Sequence, residues 1–486
     1  MSVAAAVQTV GNVIAGEERG ADGGATFEKL APATGELLSL VARSGAADVD
    51  AAVGAAVEAQ PHWAARTVEE RGRILRRVVQ LLERDRDEVA AVVSAETGKS
   101  PKDAKGETDG AIELGYFMAG EGRRFYGRTM PSAVANRQAM TVRQPLGVAG
   151  LIIAANTPIA NVAWKVFPAL LCGNAAVLKA SEDAPGTALA FARLAAEAGL
   201  PNGLLNLVQG YGEEAGQPLV EDPRVAVVSF TGSTAVGRLI ARVAGERLAK
   251  VCLELGGKNP LVVCDDANLE EAAGAAALSA FSNAGQRCAA GSRLIAFDAV
   301  YDRFRDLLVE RAQAQKVGPA DEHDFGPVIN ERQLENMLAA VERAKEAGAT
   351  VLTGGGRLPM PGFFMAPTIV EGVAPDAEIS RTELFGPITT LHRVHDFDEA
   401  LAVANASPYG LTAAIWTASV HRAQEFVRHI VAGGVQVNGP TYGFEPHVPF
   451  GGQRDSGTGW REPGTEALDV YSDWKTVYVT HDPASV

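Results

Sequence analysis

The sequence predicts an α/β protein organised around a doubly wound parallel sheet, and three observations predict it. Between residues 147 and 255, short apolar runs alternate with segments whose apolar residues recur at three and four spacing, the pattern of parallel strands joined by crossover helices. A second α/β stretch follows over 256–434 with no internal repeat and no low-complexity linker between the two. Two further stretches, 126–142 and 469–479, alternate polar and apolar residues as exposed β-structure does. A chain of 486 residues is long enough for two or three such units, each with its own core.

Composition narrows the class of function. A hydrophobic fraction of 47% with 21% charged residues is that of a soluble globular protein. The net charge of −15 argues against nucleic acid as a partner, because binding phosphates needs a basic face. Cys172, Cys252, Cys264 and Cys288 are irregularly spaced, which is neither a disulfide framework nor a zinc site, so no metal is predicted and a reducing, cytoplasmic setting is expected. Residues 1–10 have no basic segment followed by a long apolar one, so no signal peptide is read there. The uncharged run 145–164 is long enough to cross a membrane. Its prolines and asparagines, and Lys165 directly after it, fit a buried strand, a polar loop and a helix better.

In chain order, residues 1–45 read as short strands and turns, with a turn at Pro32-Ala-Thr-Gly-Glu36. Helices are expected over 48–65, 67–99 and 101–120, and Glu69, Glu70, Arg71, Arg73, Arg76 and Arg77 are read as a solvated face of the second. In the sheet region, strands are expected at 148–154, 175–178, 204–208, 225–230 and 250–253. The helices between them lie near 161–171, 186–198 and 213–219, with another starting at Ser233. Sheets of this class bind dinucleotides at the carboxyl ends of their strands.

Those ends carry the candidate chemistry. Phe230-Thr-Gly232-Ser233-Thr234-Ala-Val-Gly237 joins a strand to a helix. Such a junction offers free N–H groups and a helix dipole to a pyrophosphate, although its glycine spacing is not GxGxxG and the motif alone is also an ordinary N-cap. Lys179 and Glu182 follow another strand, where a carboxylate can accept hydrogen bonds from a ribose. Glu254 ends an apolar strand, where desolvation raises a carboxyl's pKa toward neutrality. Cys288 follows a Gly-Gln-Arg turn and has small neighbours, which leaves room for an electrophile to reach a thiolate. Each residue taken singly has a structural explanation too, as a strand end, a turn or a core cysteine.

Taken together, Leu253-Glu254-Leu255-Gly256-Gly257-Lys258, Gly285-Gln286-Arg287-Cys288 and Glu383-Leu384-Phe385-Gly386-Pro387 resemble the NAD(P)-dependent aldehyde dehydrogenase superfamily, over residues 32–479. The resemblance implies a Rossmann-like doubly wound cofactor domain (1–122 with 143–255), a second α/β catalytic domain (256–467) and a small β oligomerisation arm (123–142 with 468–486). It implies NAD rather than NADP as cofactor, a small-molecule aldehyde as substrate, and a homodimer or homotetramer. Long unpaired edges in the arm invite a partner strand as well.

The resemblance also implies roles. Cys288 attacks the aldehyde, Asn156 and the Cys288 N–H hold the alkoxide, and Glu254 activates the water that hydrolyses the thioester. The cofactor falls to Lys179, Glu182, Phe230, Gly232, Ser233 and Gly237, with Glu383 at the nicotinamide ribose and Phe385 beside the ring. Lys258 fits the motif without a catalytic role. Trp164, Tyr442, Phe444 and Phe450 match the wall of the aldehyde tunnel, while Ala155 and Ser282 depart from it by replacing usual aromatics. Arg287 is shared with branches that oxidise semialdehydes bearing a carboxylate. It either enters the tunnel as a clamp for that acid or turns toward backbone, leaving an aromatic or aliphatic aldehyde as substrate. Two rivals are a non-catalytic structural relative, against which the full set Asn156, Glu254, Cys288 and Glu383 speaks, and an acyl-transferring branch, which typically lacks the glutamate at 254.

Overall fold

The computed structural model describes residues 8–485. Its first large sheet has seven strands in the spatial order Lys250–Leu255, Val225–Gly232, Val148–Ile152, Ala175–Lys179, Leu205–Val208, Asn12–Ile14 and Glu17–Arg19. The first five run parallel, and the N-terminal hairpin adds the antiparallel edge. Val148–Ile152 and Ala175–Lys179 are buried at every position, because crossover helices such as Pro158–Leu171 and Pro185–Glu197 cover the sheet. The second sheet, also of seven strands, runs Thr350–Thr353, Thr368–Glu371, Ile388–Val394, Gly291–Phe297, Asn259–Val263, Thr412–Trp416 and Gly434–Val437. Only its first pair is antiparallel.

Several local expectations shift. The helical stretch 67–99 is two helices, Val68–Arg84 and Arg86–Thr97, meeting at Asp85 in a non-helical conformation. Its predicted polar face loses one member: Arg71 is buried, donating to the carbonyls of Leu171 and Arg66 at 2.9 and 2.7 Å, so it satisfies the end of a neighbouring helix. The helix expected over 213–219 is a wider turn, Gly212–Gly216, running into the short helix Gln217–Glu221. The run 145–164 resolves into the strand Val148–Ile152, a loop and the start of Pro158–Leu171. No helix among the described residues is long and apolar enough to cross a membrane.

The alternating stretches meet in one antiparallel sheet of Ser472–Thr480, Arg137–Pro145 and Thr129–Met130. The last predicted strand starts later than 469, because Ala467–Val470 forms a helical turn whose Ala467, Leu468 and Val470 pack into the core of the first sheet. Ser472–Thr480 is mostly exposed and borders the sheet.

Candidate active site

In the first sheet Val148–Ile152 and Val225–Gly232 are neighbours, and the chain leaves them toward strands on opposite sides. A crevice therefore opens beyond their carboxyl ends. The first strand leads to Asn156, the second ends at Gly232, and Glu254 pairs with Thr231 on the next strand. From the second sheet, helix Leu269–Phe281 and strand Gly291–Phe297 frame the turn that carries Cys288. In that turn Asn283 and Ala284 take left-handed φ values of 55° and 53°, conformations that cost non-glycine residues energy and gather at functional sites. Asn156, Trp164, Glu254, Cys288, Glu383 and Phe385 line one cleft of about 290 Å³.

Packing between the two units dictates the loop chemistry here. A side chain at Gly256 would meet Glu383 Oε2 at 1.8 Å, and one at Gly257 would meet the Cys288 carbonyl at 2.7 Å. The Gly-Gly pair is what lets the Glu383 side chain and the Cys288 backbone approach the end of strand Lys250–Leu255. Asn259 Nδ2 then donates to the carbonyls of Cys288 and Ala290 at 2.8 and 2.9 Å. Asn156 Nδ2 donates to the Gln286 carbonyl at 3.1 Å. That bond uses one of its two N–H groups and fixes the amide plane, leaving the second for a ligand. The Cys288 backbone N–H has no partner among the described residues.

Electrostatics single out the two glutamates and the thiol. Glu254 is buried, and one of its oxygens has no hydrogen-bond partner. Burial pushes its carboxyl up to about 8, against the pull of Lys165 and the Cys288 thiol and with the push of Glu462 and Glu383. Burial also raises the Cys288 thiol well above its ordinary range, and the carboxylates of Glu254 and Glu383 add to that. Glu383 is pushed up to about 7 by burial, opposed by the Gly257 N–H, which donates to it at 3.0 Å, and by Lys258. A thiol that holds its proton beside a carboxyl titrating near neutrality has the chemistry a nucleophile–base pair requires.

A second cleft adjoins the first. Lys179, Glu182, Phe230 and Ser233 line it together with Ile152, Val236 and Ile240, an apolar slot whose charged residues are Lys179, Glu182 and Glu213. Lys179 holds Glu182 at 3.3 Å. Burial of Glu182 opposes its ionisation, yet Lys179 and a backbone N–H keep the carboxyl below the usual carboxylate range. Ser233 caps helix Thr234–Glu246, accepting from the Val236 N–H at 3.4 Å. Gly232 lines the first cleft and not the second, whereas Gly237 lies under Leu255, where a side chain would meet Leu255 Cδ2 at 2.5 Å. It lets the helix pack on the strand. An apolar slot, an ionised carboxylate and a helix N-terminus are the features that a dinucleotide's base, ribose and pyrophosphate require, so these residues fit that cofactor.

On the other side of Cys288 the predicted aromatics assemble into a wall. Trp164 meets Phe450 edge-on at 5.7 Å, Phe444 lies 5.1 Å from Phe450, and Tyr442 completes the cluster around the cysteine. Arg287 stacks its guanidinium over Tyr442 at 4.6 Å, and its Nε donates to Ser282 Oγ at 3.3 Å. It therefore points along the wall and not toward backbone carbonyls.

The aldehyde dehydrogenase family model matches residues 19–477. The chain belongs to the aldehyde dehydrogenase family. It is 41% identical to an alpha-ketoglutarate semialdehyde dehydrogenase of Haloferax volcanii, over 96% of this chain and 98% of that one. It is 39% identical to the alpha-ketoglutaric semialdehyde dehydrogenase of Bacillus subtilis, over 99% and 100%. Among solved structures, an NAD-dependent aldehyde dehydrogenase from Sinorhizobium meliloti superposes with a TM-score of 0.95 at 36% identity, covering 98% of this chain and 95% of that one. An NADP-dependent enzyme of E. coli superposes with a TM-score of 0.94 at 35% identity, covering 97% and 98%.

This aldehyde dehydrogenase also places charged residues near the site that the sequence did not single out. Lys165 Nζ donates to Ser229 Oγ at 2.7 Å and to Glu462 Oε2 at 2.8 Å. Ser229 and Tyr471 each donate to Glu462 Oε1 at 2.9 Å. All four are buried, and Lys165 and Glu462 bias Glu254 in opposite directions. A lysine inside an apolar helix was a sequence signal for such a group. Its partner lies 297 residues away, beyond any local pattern.

Proposed function

We propose that this aldehyde dehydrogenase oxidises a carboxylate-bearing semialdehyde, such as alpha-ketoglutaric semialdehyde, to the acid, with NAD as its cofactor and water as the acyl acceptor. The observation that carries the reaction is the convergence of Asn156, Glu254 and Cys288 on one cleft. The Cys288 thiol gives its proton to water in the cleft, and the thiolate attacks the carbonyl carbon, forming a C–S bond and sending the C=O pair onto oxygen. The free N–H of Asn156 and the Cys288 N–H receive that alkoxide. NAD, when bound, would accept the hydride that leaves the former aldehyde carbon as its C=O re-forms; Lys179 and Glu182 would hold its adenosine ribose, the Ser233 helix end its pyrophosphate, and Glu383 and Phe385 its nicotinamide end. Cys288 is then left carrying a thioester. Glu254 takes a proton from water, the resulting hydroxide attacks the acyl carbon, and the C–S pair returns to sulfur. A buried carboxyl near 8 is a strong enough base for that step at working pH. It is also the feature that favours hydrolysis over acyl transfer.

The acidic substrate is supported by Arg287. Only its Nε is bonded within the described residues, which leaves both terminal nitrogens for a bidentate carboxylate. Two relatives with most of this chain's length are named for such a semialdehyde. The four-residue aromatic wall supports the second reading, an uncharged aromatic or aliphatic aldehyde. Comparing NADH formation from alpha-ketoglutaric semialdehyde with that from an uncharged aldehyde of similar length decides between them. The expected kcat/KM ratio is roughly tenfold or more in favour of the acid, since one charge-assisted contact contributes ~1.5–3 kcal/mol. A preference for the uncharged aldehyde overturns the substrate, and no NADH from either overturns the reaction.

The same proposal includes the division into 1–122 with 143–255, 256–467, and 123–142 with 468–486, and a dimer or tetramer. The oligomer is supported by the free edge of Ser472–Thr480, where Trp474 and Tyr478 are 43% and 61% exposed. A cytoplasmic setting is supported by four free cysteines.

A further inference from the structure

Behind Asn156, on the side away from the cleft, lies an ion pair that the mechanism does not use. Lys99 and Glu107 meet at 2.5 Å, with both side chains 5% exposed. Lys99 stands just before Ser100, the N-cap of the helix Pro101–Gly120, and Glu107 lies within that helix, which contributes nothing to the walls of either cleft. Both residues nevertheless reach the loop that carries Asn156. Lys99 Nζ donates to the Asn156 carbonyl at 2.9 Å. Glu107 Oε1 accepts from the N–H groups of Ile159 and Ala160 at 3.0 and 3.4 Å.

Those two N–H groups open the helix Pro158–Leu171, whose N-cap Thr157 makes no side-chain cap bond of its own. Free N–H groups at a buried helix start need an acceptor, and a carboxylate suits the positive end of the dipole. Glu107 supplies both from another helix. Asn156 is thereby held on three sides: its carbonyl by Lys99, the backbone three residues on by Glu107, and its amide by the Gln286 carbonyl. Gln286 is itself tied down, donating to the Pro327 carbonyl and accepting from the Ile329 N–H. It stands two residues before Cys288.

We propose that Lys99 and Glu107 are positioning residues that hold the turn carrying Asn156, and so set the distance of its free N–H from the alkoxide oxygen of the substrate bound through carbon to Cys288. This rests on the reading of Asn156 as an alkoxide donor. An oxyanion donor works only if it is placed before charge develops, and a misplacement of about 1 Å can cost on the order of a hundredfold in rate. A loop between a strand and a helix does not hold such a position unaided. The pair supplies the restraint from behind, without entering the cleft.

The test is a mutant cycle built on Lys99→Met with Glu107→Gln and on Asn156→Ala. Met keeps the stem of Lys99 but cannot bond the Asn156 carbonyl. Gln keeps an oxygen for Ile159, and the double change strands no charge. In the wild-type background the pair of changes should lower kcat/KM and the first-turnover NADH burst by roughly tenfold to a hundredfold, with the dissociation constant of NAD within about twofold. In the Asn156→Ala background the same changes should cost at most about twofold, because the group they position is gone. An equal loss in both backgrounds, or none in either, overturns the inference. Asn156→Ala alone tests the underlying reading: if it costs less than about tenfold, Asn156 is not the donor and the positioning role falls with it. Should the double variant fail to fold, Glu107→Gln alone enters the same cycle with the same expected sign.

Discussion

The two sides of Cys288 are held in place by different forces. On the cofactor side the positions are set by backbone and directed bonds. Gly257 donates to Glu383, Asn156 is bonded to the Gln286 carbonyl, and Lys179 is paired with Glu182. On the substrate side Trp164, Tyr442, Phe444 and Phe450 are set by ring packing, and the one cation, Arg287, rests on a ring with a single hydrogen bond. Directed bonds fix a donor to within tenths of an ångström and tolerate no change of residue type. Packing tolerates exchange of one apolar group for another. The first side therefore suits chemistry that is the same in every turnover. The second suits selection among substrates, and variants on the two sides should fail in different ways.

The largest effect is expected at Cys288, the proposed nucleophile, which both sides share. Cys288→Ala should lower aldehyde-dependent NADH formation by about 10⁴-fold or more. NAD binding, measured by fluorescence titration, should stay within about twofold, because the residues at its adenosine ribose and pyrophosphate, Lys179, Glu182 and Ser233, follow strands of the other sheet. Activity within tenfold of wild type would remove Cys288 from the mechanism and end the comparison.

Next comes the base. Glu254→Gln keeps the shape but cannot take a proton, so general-base catalysis worth ~10²–10⁴-fold is lost. The loss should fall on hydrolysis: rapid mixing should show one turnover of NADH followed by a slow steady state. If Glu254 also takes the thiol proton, the burst slows as well. Either result differs from an unchanged steady state, which removes the role. The pH profile gives the sign independently. Burial raises the carboxyl to about 8, and only the ionised form is a base. Steady-state turnover limited by hydrolysis should therefore rise with pH toward 8, and that limb should vanish in Glu254→Gln.

Arg287→Ala examines the packed side. If its guanidinium holds an acid, kcat/KM for alpha-ketoglutaric semialdehyde should fall by ~10- to 100-fold, the loss of ~1.5–3 kcal/mol. An uncharged aldehyde should change by less than about threefold. Equal losses for both would make Arg287 a packing residue for Tyr442.

Much of this was legible in the sequence, for reasons the structure makes physical. Strand ends in the first sheet were readable because buried parallel strands are unbroken apolar runs, and the residues that follow them, such as Asn156, Glu182 and Ser233, must sit at the crevice. The cysteine turn was readable because Gly285 and small residues surround it. What was not legible depends on distant packing. Arg71 sits among exposed charges in sequence but turns inward to a helix end. Residues 456–471 carry no strand or helix period, yet the Ser456 carbonyl accepts from Leu255 N–H at 3.1 Å, and Glu462 and Tyr471 complete the buried network around Lys165. The Lys99–Glu107 pair reads as two more charges on a helical stretch, and only the loop behind Asn156 gives it meaning.

The smallest effect concerns which dinucleotide the directed side accepts. Glu182 is ionised at neutral pH and paired with Lys179. A 2′-phosphate brought to the same ribose would meet a like charge. At about 5 Å and an effective dielectric of about 20, one charge pair costs ~3 kcal/mol. The Glu182 side chain is 36% exposed, so solvent screening brings this down to ~1 kcal/mol, and Lys179 beside it attracts the phosphate. The net expectation is a preference for NAD over NADP of only about fivefold in kcat/KM. In Glu182→Gln that ratio should fall to about one, through a gain with NADP more than a loss with NAD, because Gln still offers an oxygen to the ribose and frees Lys179. Equal use of both cofactors by the wild type would mean that Glu182 swings out into solvent when the phosphate arrives. A variant in which NAD activity collapses instead would show that the carboxylate's hydrogen bonds to the ribose, and not its charge, set the choice.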